Sequence, residues 1–382
     1  MTLRWIEGFE RARHTTILER IYPVSTIDNI ASLAGSRGGW GIQSDGLIVR
    51  TPELVSPDAN TWVVGFAFMV AQTSGGLASS PDEIPYVSFL NASGEQLRLE
   101  FIDAGNGTTN SKPGGRYYRV RVMRGATEIA RTDQIWLALS DTDSNWVYFE
   151  WKVTIDTGTG GSFSLKYHQQ RKVKNQTATW DNSVTSINTA NQGVAGADRV
   201  EVSFNTGTDG DSVAFDDIYI LDSAGTKNND FLGEIFIEGL TVTGDGNTTD
   251  WVLAGGAINL ADALNEGATV QSSIEDDNRL TSDTIGDISL GALSNLTDIL
   301  STTIVGVQVR AYGKMETTGS RDIQVMWRKT TGTPAQVGGA VETFDDTSIK
   351  GFADTQEDDP NTSTDWVHAD VNGLEAGVEV DA

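Results

Sequence analysis

The sequence predicts an all-β protein built from two antiparallel β-sandwich (jelly-roll) domains with one or two short helical turns. Most apolar segments alternate with a period of two residues, clusters of Gly, Asn, Asp and Ser separate them, and helical periodicity is nearly absent. The chain has 382 residues, which exceeds the usual size of a single hydrophobic core. We therefore expect two domains.

Short hairpins dominate the first 222 residues. Asn91 and Gly94 are turn residues between two strand-like runs, and farther on Arg119 and Arg121 share one face of a strand while Val120 lies on the other. This many strands in one domain fits a two-sheet sandwich. The predicted strands cover residues 61–71, 84–103 (a hairpin), 116–131, 145–156, 162–168, 198–204 and 213–221.

The strand at 213–221 marks the end of the first domain. Strict alternation places Phe215 and Tyr219 on one face and puts Asp216 and Asp217 on opposite faces, with apolar residues on both sides. The polar run that follows offers almost nothing to bury. The sequence thus predicts domains at residues 1–222 and 231–382, joined by a linker at 223–230.

The second domain is expected to be a smaller, acidic β-sandwich. Residues 302–329 are typical of two long strands with a turn near Thr318 to Ser320. Short helical turns are predicted at 259–267 and 364–377, and the acidic runs at 275–278 and 357–361 are interpreted as solvated loops.

Composition excludes several classes of protein. The chain has no cysteine, which excludes disulfides, thiolate metal sites and cysteine nucleophiles. The formal net charge is −26, and residues 226–382 hold 8 Lys and Arg against 27 Asp and Glu, a surface that repels nucleic acid. We also expect no membrane span and no signal peptide, because long apolar runs are missing and the first residues are charged.

Catalytic candidates are sparse. The three histidines, His14, His168 and His368, lie in separate segments, and no nucleophile elbow surrounds any serine. Glu150, with Tyr148 and Lys152 on its face, could serve a glycosidase, although an ordinary ion pair or a solvated carboxylate gives the same pattern. We predict that the protein is not an enzyme.

One segment is a candidate for calcium, the only cofactor that the sequence brings into question. Asp141, Asp143 and Asn145 resemble the first half of a calcium-binding loop, but the following glycine and the distant glutamate are missing. We therefore predict no cofactor and keep calcium as an alternative.

Aromatic and basic residues provide candidate surfaces. Trp146, Tyr148 and Trp251 could stack on a glycan or anchor a protein interface, although aromatic residues of alternating strands are more often core. A basic hairpin could dock on an acidic neighbour, including the second domain of another copy, unless it is simply a solvated face. Its arginines are Arg116, Arg119, Arg121, Arg124 and Arg131.

Four segments together resemble a family of virion structural proteins of tailed bacteriophages. They are "WIEGFE" (5–10), "NWVYFEWKVTIDTGTGGSFSL" (145–165), "VAFDDIYILDSAGTKNNDFLGEI" (213–235) and "TSTDWVHADVNGLEAGVEV" (362–380). The first domain is similar to concanavalin A-like (laminin G-like) jelly rolls, in which an early strand near "GFE" pairs with a late strand of the "FDDIYI" type. The resemblance implies a jelly-roll fold, a virion location and no catalytic residues.

From this resemblance we expect a non-enzymatic, multi-copy virion protein made in the host cytoplasm. Its partners would be other virion proteins of the tail or a tail fibre, further copies of itself, for example in a trimer, and a glycan on the host surface. Two alternatives stay open: a capsid decoration (cement or head-fibre) protein, and a carbohydrate-binding receptor-recognition module. Neither nucleic acid nor membrane is expected as a partner.

Overall fold

A computed structural model gives the architecture of the chain and divides it into two compact units. The first unit extends to Ile237 and the second begins at Glu238. Residues 231–237, which the sequence assigned to the second domain, therefore belong to the first unit. The described residues are 2–8, 24–26, 30–34, 40–44, 48–55, 59–71, 85–103, 111–112, 115–132, 135–138, 146–169, 180–204, 212–264, 278–297, 303–330, 336–345 and 347–382.

The described part of the first unit consists of strands and their connections. The strands are β1 (Thr2–Glu7), β2 (Val24–Thr26), β3 (Ile30–Ala34), β4 (Trp40–Ser44), β5 (Ile48–Arg50), β6 (Thr61–Ala71), β7 (Tyr86–Asn91), β8 (Gly94–Asp103), β9 (Ser111–Lys112), β10 (Gly115–Arg124), β11 (Thr127–Arg131), β12 (Ile135–Ala138), β13 (Val147–Thr154), β14 (Gly161–Gln169), β15 (Trp180–Ile187), β16 (Arg199–Ser203) and β17 (Ser212–Asp222).

These strands form two antiparallel sheets. The first has the order β15-β14-β13-β6-β17-β4-β3, with β1 also paired to β17, and the second has the order β11-β10-β8-β7-β16-β5-β2, with β9 and β12 paired to β10. The pairing of β1 with β17 confirms the predicted contact between an early and a late strand. The fold class is thus confirmed as an all-β, antiparallel sandwich.

Aromatic side chains fill the space between the two sheets. Phe66 and Phe68 of β6 and Phe149 of β13 meet Phe101 of the opposite sheet, and all four are fully buried. Phe215 of β17 is also fully buried and packs against Phe66 and Phe68. The rings of Phe68 and Phe101 stack with centroids 4.3 Å apart. Because side chains alternate along a strand, the residues next to these phenylalanines point to the outer face of the first sheet.

The second unit is also mainly antiparallel sheet. A five-stranded sheet has the order β18-β21-β28-β23-β24, and Trp327 and Trp366 pack 6.0 Å apart in its core. The elements are β18 (Val242–Thr249), β19 (Val252–Ala254), α1 (Leu260–Leu264), β20 (Arg279–Thr281), β21 (Ile288–Leu293), β22 (Val307–Gly313), β23 (Arg321–Lys329), β24 (Gln336–Phe344), β25 (Lys350–Gln356), β26 (Asp358–Asp359), β27 (Thr364–Asp365), α2 (His368–Asn372) and β28 (Leu374–Val380).

The predicted strands within residues 302–329 are present as β22 and β23, but they do not form a hairpin. The residues of β22 pair with β25, whereas β23 pairs with β24 and β28. Both predicted helical turns are present as α1 and α2. No helix in the described ranges is long and apolar enough to cross a membrane.

Candidate functional site

The outer face of the eight-stranded sheet is covered by the protein's own chain. Residues 230–237, which we call the strap, cross this face without forming a strand. Phe231, Leu232 and Ile235 of the strap pack on a buried apolar cluster. Members of that cluster are Leu3, Val63, Ala67, Met69, Trp146, Tyr148, Ala214, Tyr219 and Leu221. The strap therefore covers the part of this face that the cluster forms.

Backbone N–H groups of the strap are satisfied by side chains of the sheet. Oε1 of Glu150 accepts the N–H of Gly233 at 2.7 Å, and the hydroxyl of Tyr219 accepts the N–H of Leu232 at 3.2 Å. Tyr219 donates that hydroxyl to the same Oε1 at 2.5 Å. Because buried backbone donors without partners are costly, these side chains take the place of a neighbouring strand.

A bulge in β17 aims Tyr219 at the strap. The register with β6 shifts between Asp216 and Tyr219, and Asp217 adopts a φ of 46°. Phe215 therefore points into the core while Tyr219 points outward, so the strict alternation predicted for this strand is wrong. Asp217 is buried and accepts the N–H of Ile237 at 2.7 Å, which holds the end of the strap.

Gly65 provides the space for the ring of Tyr219. It lies on β6 between Glu150 of β13 and Tyr219 of β17. A Cβ at this position would lie 2.0 Å from Cε1 of Tyr219. The bare backbone thus lets the ring lie across one strand and reach the carboxylate on the next.

Charged side chains surround this cluster. Nε2 of His168 lies 3.3 Å from Oε2 of Glu150, and Nζ of Lys152 lies 3.1 Å from Asp230 at the start of the strap. Nζ of Lys166 lies 4.4 Å from the ring centroid of Phe231. Burial, together with the negative charge of Glu150, raises the pKa of Tyr219 well above its ordinary value, which keeps the phenol protonated.

Among the described residues that the sequence singled out, Glu150 lies at the centre of this site, with His168 and Tyr148 close by. Its side chain is only 1% exposed, and both of its oxygens are engaged within the protein. Sequence reasoning missed Tyr219, Asp217 and the strap. A signal for Tyr219 was available in Gly65, since a glycine inside an apolar strand indicates close approach of another group.

Two of the three candidate aromatic residues are buried. Trp146 and Tyr148 are fully buried, with the hydroxyl of Tyr148 donating to the carbonyl of Asp217 at 3.3 Å. Trp251 of the second unit is partly buried and donates its Nε1–H to the carbonyl of Asp287 at 3.0 Å. A buried ring has no face to offer a sugar, so Trp146 and Tyr148 are core residues.

The candidate docking arginines are largely engaged within the first unit. Arg121 pairs with buried Glu100 at 2.5 Å, and Arg131 pairs with Glu128 at 2.5 Å. Arg124 donates to the carbonyl of Asn188 at 3.0 Å. Arg119 is half-buried on the same strand as Arg121, and the side chain of Arg116 lies outside the described residues. The hairpin thus offers a neighbour fewer available cations than the sequence indicated.

The calcium candidate Asp141, Asp143 and Asn145 lies outside the described residues, as does His14. Within the described residues, no group of three or more His, Asp or Glu side chains could hold a metal ion. The interpretation of 357–361 as a solvated loop is wrong, because Asp359 is completely buried. Its partner is Lys329, at 2.7 Å.

Comparison with known proteins gives a fold resemblance only. No protein-family model and no curated protein sequence matches the chain. Among solved structures, an endo-β-1,4-glucuronan lyase from the fungus Trichoderma reesei is 12% identical over 57% of this chain and 95% of its own, with a TM-score of 0.31.

Two further structures illustrate the breadth of this resemblance. A carbohydrate esterase from the Shiga toxin-encoding bacteriophage phi24B is 9% identical over 57% of this chain and 97% of its own, with a TM-score of 0.33. Metal-free lectin I-B4 from Griffonia simplicifolia is 11% identical over 52% of this chain and 89% of its own, with a TM-score of 0.28. At such values the resemblances carry no inference about function.

Proposed function

We propose that this protein is a non-enzymatic structural component of a tailed-bacteriophage particle, present in many copies and docked on the tail or a tail fibre. The virion location rests on the sequence resemblance of the segments at 5–10, 145–165, 213–235 and 362–380. A location on the capsid surface fits the same resemblance. The labelling experiment below distinguishes the capsid from the tail.

The non-catalytic part of the proposal is carried by the strap. A glycosidase needs two carboxylates that flank an accessible sugar. Glu150 instead holds Gly233 and Tyr219, and the apolar side chains of the strap pack on the sheet beside it, so that its carboxylate is buried. The arrangement stabilises a closed sandwich, as suits a protein whose role is to assemble and bear load.

The charge of the second part of the chain supports a role on the particle surface. Residues 226–382 hold 8 Lys and Arg against 27 Asp and Glu. An excess of one sign keeps many copies from associating non-specifically and discourages contact with packaged nucleic acid. Docking would then depend on shape and on apolar contacts.

Immunogold electron microscopy of intact particles tests the location. Antibodies raised separately against residues 1–237 and 238–382 should label along the tail or at its tip. Label over the head would replace the tail assignment with capsid decoration, and absence of label from purified particles that infect normally would overturn the virion proposal.

Sugar release tests the non-catalytic assignment independently. The purified protein is incubated with polysaccharide from the host surface, beside Glu150→Gln as a matched variant. We expect no reducing sugar from either protein. Release by the wild type that Glu150→Gln abolishes would show that the strap opens over a working site.

A further inference from the structure

A lysine in the second unit is enclosed by two carboxylates. Nζ of Lys329, at the end of β23, lies 2.7 Å from Oδ2 of Asp359 and 2.6 Å from Oδ1 of Asp370. Their side chains are 10%, 0% and 14% exposed, respectively. Burial of three ionised groups is costly even when they are paired, and one cation here faces two anions.

The carboxylate of Asp359 is held in one orientation. Its Oδ1 accepts the N–H of Asn361 at 2.9 Å, whereas its Oδ2 accepts both the ammonium of Lys329 and the hydroxyl of Thr362, the latter at 2.8 Å. The two oxygens are therefore chemically distinct. Oδ1 faces a backbone donor suited to a developing negative charge, and Oδ2 faces groups that carry protons.

We propose that Lys329 and Asp359 react to form an intramolecular amide (isopeptide) bond, with Asp370 as the proton carrier. Holding an amine against a carboxyl group in a desolvated site makes the reaction intramolecular, which raises its rate by many orders of magnitude over the same groups in solution. The inference concerns the second unit alone and does not depend on the proposed function.

The step balances with the groups present. The ammonium of Lys329 passes one proton to Oδ2 of Asp359, which makes the carboxyl group a neutral acid, and the resulting amine attacks its Cγ, with negative charge developing on Oδ1 beneath the N–H of Asn361. Asp370 accepts a second proton from the attacking nitrogen. The bond from Cγ to Oδ2 then breaks. Oδ2 leaves as water with two protons from the lysine nitrogen, one of them delivered by Asp370, which ends as a carboxylate. No oxidant or cofactor is needed.

The bond would connect two elements that are not neighbours in the sheet. Lys329 ends β23, which lies between β28 and β24 in the five-stranded sheet, whereas Asp359 belongs to the separate β26–β27 pair. A covalent link there closes the intervening chain, which includes β24 and β25, into a loop. Such a link lowers the conformational entropy of the unfolded chain and thereby stabilises the folded unit.

Mass spectrometry of the intact, denatured full chain tests the proposal without any variant. We expect the wild-type protein to be lighter than its sequence by one water, and peptide mapping should find a branched peptide joining Lys329 to Asp359. A full sequence mass for the folded protein would overturn the proposal and leave the cluster as a buried ion pair.

Variants locate the reaction. Lys329→Arg keeps the positive charge and should show the full sequence mass, and Asp370→Asn should form the bond more slowly or not at all. Lys152→Arg is the matched control, because Lys152 pairs with Asp230 at an exposed site, and it should keep the mass deficit.

One other reaction also removes a water. An aspartate followed by glycine, such as Asp245 before Gly246, can form a succinimide. A succinimide is hydrolysed in mild base, whereas the amide persists. A deficit that disappears in base, or that maps away from Lys329, would overturn the proposal.

Discussion

The phenolic oxygen of Tyr219 lies 2.5 Å from Oε1 of Glu150, and both side chains are buried on the outer face of the first sheet. The same carboxylate oxygen accepts the N–H of Gly233 in the strap. The strands β13 and β17, which are not adjacent in the sheet, and the strap that covers them are therefore joined through Oε1 of Glu150. This contact gives the buried carboxylate its hydrogen-bond partners, and it leads to several predictions.

Tyr219→Phe should destabilise the first unit by about 1.5–3 kcal/mol, the usual range for a hydrogen bond to a charged group. Phenylalanine keeps the ring on Gly65, so the change isolates the hydroxyl, which serves both Glu150 and Leu232. Denaturant unfolding of the wild type and the variant measures the difference. Equal unfolding midpoints would show that the hydroxyl does not stabilise the strap.

Gly65→Ala should be destabilising because its Cβ would lie 2.0 Å from the ring of Tyr219. Overpacking of this kind typically costs about 1–3 kcal/mol. Gly244→Ala is the control, since it also lies in a strand and no atom is within 4 Å of its Cβ position. Thermal unfolding should separate the two variants; similar losses in both would point to strand propensity instead of the ring.

Leu232→Ala combined with Ile235→Ala should loosen the strap, because these side chains provide much of its apolar contact with the sheet. We expect faster proteolysis between residues 223 and 240 and increased binding of a hydrophobic dye. Ile258→Ala is the control, as Ile258 is 81% exposed. An unchanged cleavage rate in the double variant would mean that polar contacts alone hold the strap.

The stability of the protein should fall as the pH rises above about 10. The pKa of Tyr219 is raised above its ordinary value of 10.0, chiefly by burial and next by Glu150, so this phenol stays protonated in the folded state. In the unfolded chain it loses its proton near pH 10, which favours unfolding by about 1.4 kcal/mol per pH unit beyond that point.

Denaturant unfolding at a series of alkaline pH values measures this slope. Tyr219→Phe should make it shallower, because the variant has no proton to lose there. Tyr86 should also contribute to the loss of stability at alkaline pH, since burial and Glu201 raise its pKa as well. A slope identical in the wild type and Tyr219→Phe would contradict the assignment.

Arg121→Ala and Arg131→Ala should differ in their effects although both remove an ion pair. Arg121 contacts Glu100, whose side chain is 1% exposed, whereas Arg131 contacts Glu128, which is 30% exposed. Loss of Arg121 removes one of the two arginines that contact Glu100 within the described residues, the other being Arg98, and should cost about 1–3 kcal/mol. Loss of Arg131 should cost less than about 1 kcal/mol. Measuring the unfolding free energies of both variants under the same conditions tests this difference. Equal losses of stability would contradict the prediction.

The alternation of side chains determined much of the fold. Residues 61–71 were predicted as a strand and form β6 with those bounds, and the hairpin at 84–103 is present as β7 and β8. Each of these follows from local properties, because a period of two residues defines a strand and its buried face, and Asn and Gly permit the turn.

The site around Glu150 and Tyr219 could not be predicted in the same way, because it is formed by contacts between segments that are distant in the sequence. Residues 231–237 are mostly apolar and were interpreted as the start of a second domain, because a sequence shows that residues will be buried but not against which surface. The bulge at Asp217 reverses the direction of Tyr219 and is stabilised by Ile237, twenty residues later in the chain. Likewise Asp359, within a run of acidic residues, is buried only because Lys329 lies beside it in the folded protein. The sequence by itself determined the strands and their faces, and the tertiary structure alone decided which charged and polar groups meet, since pairing across distant segments is what makes their burial favourable.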